Sequence, residues 1–263
     1  MVADHYCIPP LERLDVDELL YLIRQKKYFV IHAPRQTGKT SVLLALADLL
    51  NASDEFRCLY VNVEGAQTAR EDVSRGISSI LTTLGSEART ELRDSFVSDK
   101  KAEIFESAGP DTALAEVLTQ WCEASSLPLV LLVDEIDALV GDTLVSVMRQ
   151  LRSRYHKRPA LFPQSVILCG VRNVRDYRID TSSEKDIIAG GSAFNIKSDS
   201  LRLGDFCERE VHTLLAQHTE ETGQVFQESA ISRIVESTAG QPWLVNALAY
   251  ETCFKDKAGR QRD

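Results

Sequence analysis

"YFVIHAPRQTGKTSVLLALADLL", residues 28–50, decides the fold. Its opening "YFVIHA" is a short apolar run of strand character, and its last eleven residues place Leu43, Leu46, Ala47 and Leu50 at helical spacing. Between the two stand Pro34, Arg35, Gln36, Thr37, Gly38, Lys39, Thr40 and Ser41. A strand that turns through Gly-Lys-Thr into a helix has the layout of a phosphate-gripping loop. Main-chain N–H groups at the helix start face the anion, glycine lets the backbone come close, lysine adds a cation, and the threonine hydroxyl can ligate Mg²⁺. The pattern G-x-x-x-x-G-K-[ST] opens on glycine, whereas this chain has Ala33. Alanine is accommodated wherever φ is negative, at about 1 kcal/mol or less, and Pro34 next to it predicts an extended Ala33.

A second stretch, "LPLVLLVDEIDAL" (127–139), is an apolar strand that ends on two acids. Such a run is buried on both faces, as central parallel strands are, and its carboxyl end is where ligands sit in open α/β sheets. Asp134 is therefore expected to share Mg²⁺ with Thr40, mostly through water. Glu135 is expected to orient and polarise an attacking water, and Lys39 to grip the β- and γ-phosphates. "SVILCGVRN" (165–173) reads as another buried strand, ending in Arg172, which could reach a γ-phosphate oxygen. Asp137 reads as a capping or turn residue.

Working outward, "DVDELLYLIRQK" (15–26) predicts a helix capped by Asp15, and "RCLYVNV" (57–63) a strand. The helix after that strand begins at Thr68-x-x-Glu71, which has the form of a capping box. Residues 85–109 are polar and charge-rich and read as a surface excursion, in part helical. Helices follow over 111–125, with Leu114, Val117, Leu118 and Trp121 on one face, and around Leu144, Val147, Met148, Leu151 and Tyr155. "EKDIIAGGSAFNIKSDS" (184–200) reads as a turn region before a last short strand near "SLRLG". Strands alternating with helices predict an α/β fold with a parallel sheet in three αβα layers. From Asp205 the pattern is helical only, so the expected division is 1–204 for the αβα domain and 205–263 for a small helical lid.

The 263 residues suffice for a full core, and 44% hydrophobic with 26% charged residues is the composition of a globular protein. A net charge of −9 disfavours a chain whose main task is coating nucleic acid, although the cluster Arg149, Arg152, Arg154, Lys157 and Arg158 keeps a local contact open. That cluster reads first as a solvated helix face, with a finger arginine for a neighbouring subunit as the sharper alternative. Six dispersed cysteines read as core packing, and His5, His156, His212 and His218 form no metal spacing. His32 reads as a packing or turn residue beside the loop. Apolar runs too short for a membrane span, and no signal-peptide layout, make the cytosol the expected compartment.

With these elements in order, nearly the whole chain resembles the P-loop ATPases of the AAA+ and STAND type. The resemblance implies ATP or ADP with Mg²⁺ as cofactors, a separate strand between the acidic strand and the loop strand, and a sensor role for "CGVR". "GQPWLVNAL" (240–248) is similar to the Gly-x-Pro element of the STAND lid, which implies that Pro242 lies near the adenine or ribose. "YCIPPLERLD" (6–15) stands where such proteins cover the base. STAND proteins commonly continue into winged-helix, repeat or effector modules, so a protein partner or self-association is expected to provide the output. The competing expectations are a nucleotide-binding scaffold with negligible turnover and, more distantly, a P-loop kinase.

Overall fold

The computed structural model describes residues 6–171 and 199–255. Arg172, most of the turn region at 184–200, His5 and the tail from Asp256 lie outside the described residues. By its internal packing the chain divides into two units, one of Val16–Ala33 with Thr40–Arg202, the other of Met1–Asp15, Pro34–Lys39 and Leu203–Asp263.

The larger unit carries a five-stranded sheet: β1 Phe29–His32, β2 Arg57–Asn62, β3 Leu129–Asp134, β4 Ser165–Gly170 and β5 Asp199–Arg202. The order is β2-β3-β4-β1-β5, and every pairing is parallel. β4 thus lies between the acidic strand and the loop strand, as the resemblance implied. The helices are α1 Val16–Arg24, α2 Lys39–Asn51, α3 Val73–Glu91, α4 Phe96–Ala108, α5 Ala113–Ala124 and α6 Gly141–Ser153. Alternate strand residues Val30, Leu59, Leu131, Val166 and Leu168 join one core with the buried faces of α3, α5 and α6. The intervening Phe29, Ile31, Cys58, Val130, Leu132 and Ile167 are buried as well, so both faces of the sheet are covered.

Two local expectations are corrected. Thr68 opens no helix: Glu64–Ala69 is a 3₁₀ segment, and α3 begins at Val73, where the Asp72 side chain accepts from the Arg75 N–H at 3.0 Å. Asp72 sits one residue before the first apolar position of the periodic run, which is where a cap stabilises orphan N–H groups. Residues 85–109 are helical, as expected in part, but they are no surface excursion. They hold the end of α3 and all of α4, with Val97 and Ile104 buried against the core. α4 buries few apolar positions, so its period is weak in the sequence. Its packing depends on Gly85, where the Ser98 backbone approaches so closely that a Cβ would meet it at 3.1 Å.

The smaller unit holds α7 Glu208–Thr222, α8 Glu228–Thr238 and α9 Pro242–Tyr250, with Ile8 from the N-terminal segment in their core beside Val211, Leu214 and Ile231. Cys207 caps α7 and is exposed, whereas Cys58, Cys122, Cys169 and Cys253 are buried; core packing therefore does not describe all six. His218 is buried in this unit, with its ring nitrogens 3.3 Å from the Tyr6 hydroxyl and 3.0 Å from Gln224 Oε1. Among the described residues no helix is long and apolar enough to cross a membrane.

Candidate functional site

β1 delivers the chain into the loop through Ala33, which is fully buried and donates its N–H to the Gly170 carbonyl at 3.2 Å. Within the loop, positive φ falls on Gln36 (62°) and Gly38 (87°) and not on Ala33. The first position of the motif therefore requires no glycine. Pro34, Arg35 and Gln36 are exposed, Thr37 and Lys39 are buried, and α2 begins at Lys39. Two internal bonds shape the turn: Thr37 Oγ1 and Lys39 Nζ both donate to the Pro34 carbonyl, at 2.8 and 2.9 Å. Thr40 and Ser41 follow, exposed, in the first turn of α2.

The same segment is held from two further directions inside its unit. The Arg13 guanidinium donates to the Thr37 carbonyl and, at 2.5 Å, to the Gly204 carbonyl, while lying 4.8 Å over the Phe206 ring. Burial lowers the Arg13 pKa, and Glu210 and Asp205 act against that. Gln241 Nε2 donates to the Arg35 carbonyl at 3.3 Å. Pro242 is buried at the first turn of α9, behind Gly240, whose φ of 76° and close approach to the Phe206 carbonyl leave no room for a side chain. The conformation of the Gly-x-Pro element is thus explained by packing alone.

In the sheet unit, Thr40 meets the acidic strand. Asp134 has no solvent exposure, and its Oδ2 accepts from Thr40 Oγ1 at 2.7 Å and from the Tyr60 hydroxyl at 3.0 Å; Oδ1 accepts from the Glu135 N–H at 2.9 Å. A fully buried carboxylate needs such donors, since desolvation without them costs several kcal/mol. Glu135 is half-buried with a left-handed backbone, φ 55° and ψ 39°, a strain of about 1–2 kcal/mol of the kind that collects at functional sites. Asp137 lies in the 3₁₀ turn that follows and also accepts from the Val171 N–H, so it ties the end of β3 to the end of β4. Its carboxylate occupies the space a Cβ at Gly170 would take, which accounts for glycine in "CGVR".

Thr40 and Asp134 are therefore brought together, whereas Arg172 lies outside the described residues. The basic cluster is split. Arg154 pairs with Glu116 at 2.5 Å, Arg158 stacks on Tyr155 with its guanidinium carbon 3.2 Å from the ring centroid, and Arg149, Arg152 and Lys157 are exposed. Arg13, Tyr60 and Gln241 are the site residues that the sequence reading missed. Tyr60 left one trace, a hydroxyl among the apolar residues at the centre of β2.

A sequence model of the AAA domain family matches residues 23–177, more than half of the chain. The chain belongs to the AAA domain family. Among solved structures, this AAA chain is similar to the Cdc6p of Pyrobaculum aerophilum, with 14% identity and a TM-score of 0.61 over 99% of the chain and 65% of that protein. It is likewise similar to a Walker-type ATPase of Pyrococcus abyssi, with 14% identity and a TM-score of 0.61 over 97% of the chain and 69% of that one. The ORC2 protein of Aeropyrum pernix, solved in ADPNP–ADP complexes, matches with 16% identity and a TM-score of 0.55 over 98% of the chain and 66% of its own length. Identities this low establish the AAA fold. The chain spans about two thirds of the length of these proteins. No curated protein matches the sequence.

Proposed function

We propose that this AAA chain binds ATP with Mg²⁺ at the loop Pro34–Ser41, hydrolyses it, and works as a nucleotide-driven switch. The observation that carries the proposal is the 2.7 Å bond between Thr40 Oγ1 and a fully buried Asp134 carboxylate, directly after the lysine that opens α2. A hydroxyl and a carboxylate are hard oxygen donors, and two of them beside a phosphate loop suit Mg²⁺, which takes few protein ligands and completes its shell with phosphate and water. When bound, the ion neutralises charge on the β- and γ-phosphate oxygens.

The chain's own residues supply the rest. Lys39 exchanges its bond to the Pro34 carbonyl for phosphate oxygens, so its buried ammonium keeps a partner in both states. Glu135 holds and polarises the attacking water, and its half-buried, left-handed position favours this role over a solvated turn. Arg172 is proposed as the γ-phosphate contact, and Pro242, beside the Gln241 that binds the loop, as the neighbour of the sugar or base. The switch reading rests on the loop's attachments: Arg13 and Gln241 bind the carbonyls of Thr37 and Arg35, so a change in loop conformation is transmitted to the segments that carry them. Residues 205–263, with those segments, are proposed as a lid whose partner is a protein or a second copy.

Glu135→Gln tests the reading. ATP binding, read as a rise in melting temperature from about 2.7 kcal/mol at 100-fold over Kd, should be retained. Phosphate release should fall at least 100-fold. Unchanged release would assign turnover elsewhere and leave a nucleotide-binding scaffold, and no nucleotide-dependent shift in the parent chain would refute the binding site itself.

A further inference from the structure

β2 contributes one side chain to the acid pair, and no motif announces it. Tyr60 stands in register with Leu132 of β3, two residues before Asn62 faces Asp134. Its ring therefore has to lean along the strand by about two residues, roughly 6.6 Å at 3.3 Å per residue, to bring its hydroxyl to Asp134 Oδ2. That hydroxyl lands 3.0 Å from the same oxygen that Thr40 Oγ1 reaches at 2.7 Å. With the Glu135 N–H on Oδ1, the carboxylate is gripped from three elements: β2, the first turn of α2, and its own strand end. Two donors on one oxygen and one on the other fix the plane of the group, because any rotation breaks at least one bond.

We propose that Tyr60 is a positioning residue for the metal site, locking the Asp134 carboxylate so that it presents one orientation to a Mg²⁺ held with Thr40. The inference rests on the reading of Thr40 and Asp134 as the Mg²⁺ ligands. A phenol is an O–H donor throughout the neutral range. The Tyr60 hydroxyl donates a hydrogen bond to the side chain assigned to the ion. Partners of this kind, one bond behind a ligand, typically account for a 10- to 100-fold difference in metal affinity.

The test is the Mg²⁺ dependence of nucleotide binding by the whole chain, with a fluorescent ATP analogue titrated in EDTA and then at rising Mg²⁺. Tyr60→Phe keeps the ring and its packing, so its nucleotide Kd in EDTA should stay within about twofold of the parent. The Mg²⁺ concentration for half-maximal tightening should rise about 10-fold or more. Should Tyr60→Phe fail to fold, Tyr60→Met, which fills much of the same volume without a donor, carries the same expectation. Asp134→Asn is run beside it and should lose the Mg²⁺ response altogether. A parent-like response in Asp134→Asn overturns the reading of the metal ligands. Loss in Asp134→Asn with a parent-like or tighter response in Tyr60→Phe overturns the role of Tyr60 alone.

Discussion

Thr40 serves the resting protein before any ligand arrives, since its hydroxyl is one of three donors to an Asp134 carboxylate that water does not reach. Removing a donor from a buried charged acceptor costs about 1–3 kcal/mol. Thr40→Val, nearly equal in shape, should therefore lower unfolding stability by that amount without nucleotide or metal present, whereas Thr40→Ser should hold it; urea denaturation of the three chains measures both. At the same scale, Ala33 shows why a motif can depart from its usual form. The sterically demanding dihedrals of this loop sit at Gln36 and Gly38, so only the second glycine of the pattern is required by the backbone.

Among the elements, α3 and α6 cross at a glycine. A Cβ on Gly76 would press on the Thr143 side chain closer than real Cβ atoms approach, and Thr143 Oγ1 is buried there with no hydrogen-bond partner among the described residues. Alanine in a helix interior gains about 1 kcal/mol over glycine, but overpacking costs about 1–3 kcal/mol, so the clash prevails. Gly76→Ala should lose up to about 2 kcal/mol, and adding Thr143→Ala should restore most of it; a double-mutant cycle on the denaturation midpoints reads the coupling. α5 shows a related dependence. No side chain of its own caps it, and the Gln150 amide of α6 accepts from the Ala115 N–H at 3.2 Å while donating to the Pro110 carbonyl at 2.9 Å. Elements with long apolar periods, such as α5, α6 and β3, were legible in the sequence. α4 was not, because its few buried residues give no period, and the Thr68 box failed because its spacing also occurs in a 3₁₀ turn.

For the molecule as a whole, the division into two units runs through the phosphate loop: residues 34–39 pack with the C-terminal helices, and Thr40 onward with the sheet. Arg13 ties the loop within the smaller unit through two charge-assisted bonds and the Phe206 ring. Arg13→Met should accelerate hydrogen exchange at the amides of residues 35–38 about 10-fold or more, the equivalent of at least one such bond lost, while amides of β3 and β4 keep parent rates. Unchanged loop exchange would show that Arg13 does not restrain the loop. From the sequence alone came the alternation of strands and helices apart from α4, the place of the loop and the acids, and through them the AAA-type fold, because apolar period and Gly-Lys-Thr spacing are properties of neighbouring residues. Only the tertiary structure could decide that Tyr60 reaches Asp134 across 74 positions, Arg13 reaches Thr37 across 24 and Gln241 reaches Arg35 across 206. A hydrogen bond between residues so far apart leaves no periodic mark on either one, and it comes into being once the packed sheet and helices have fixed both backbones.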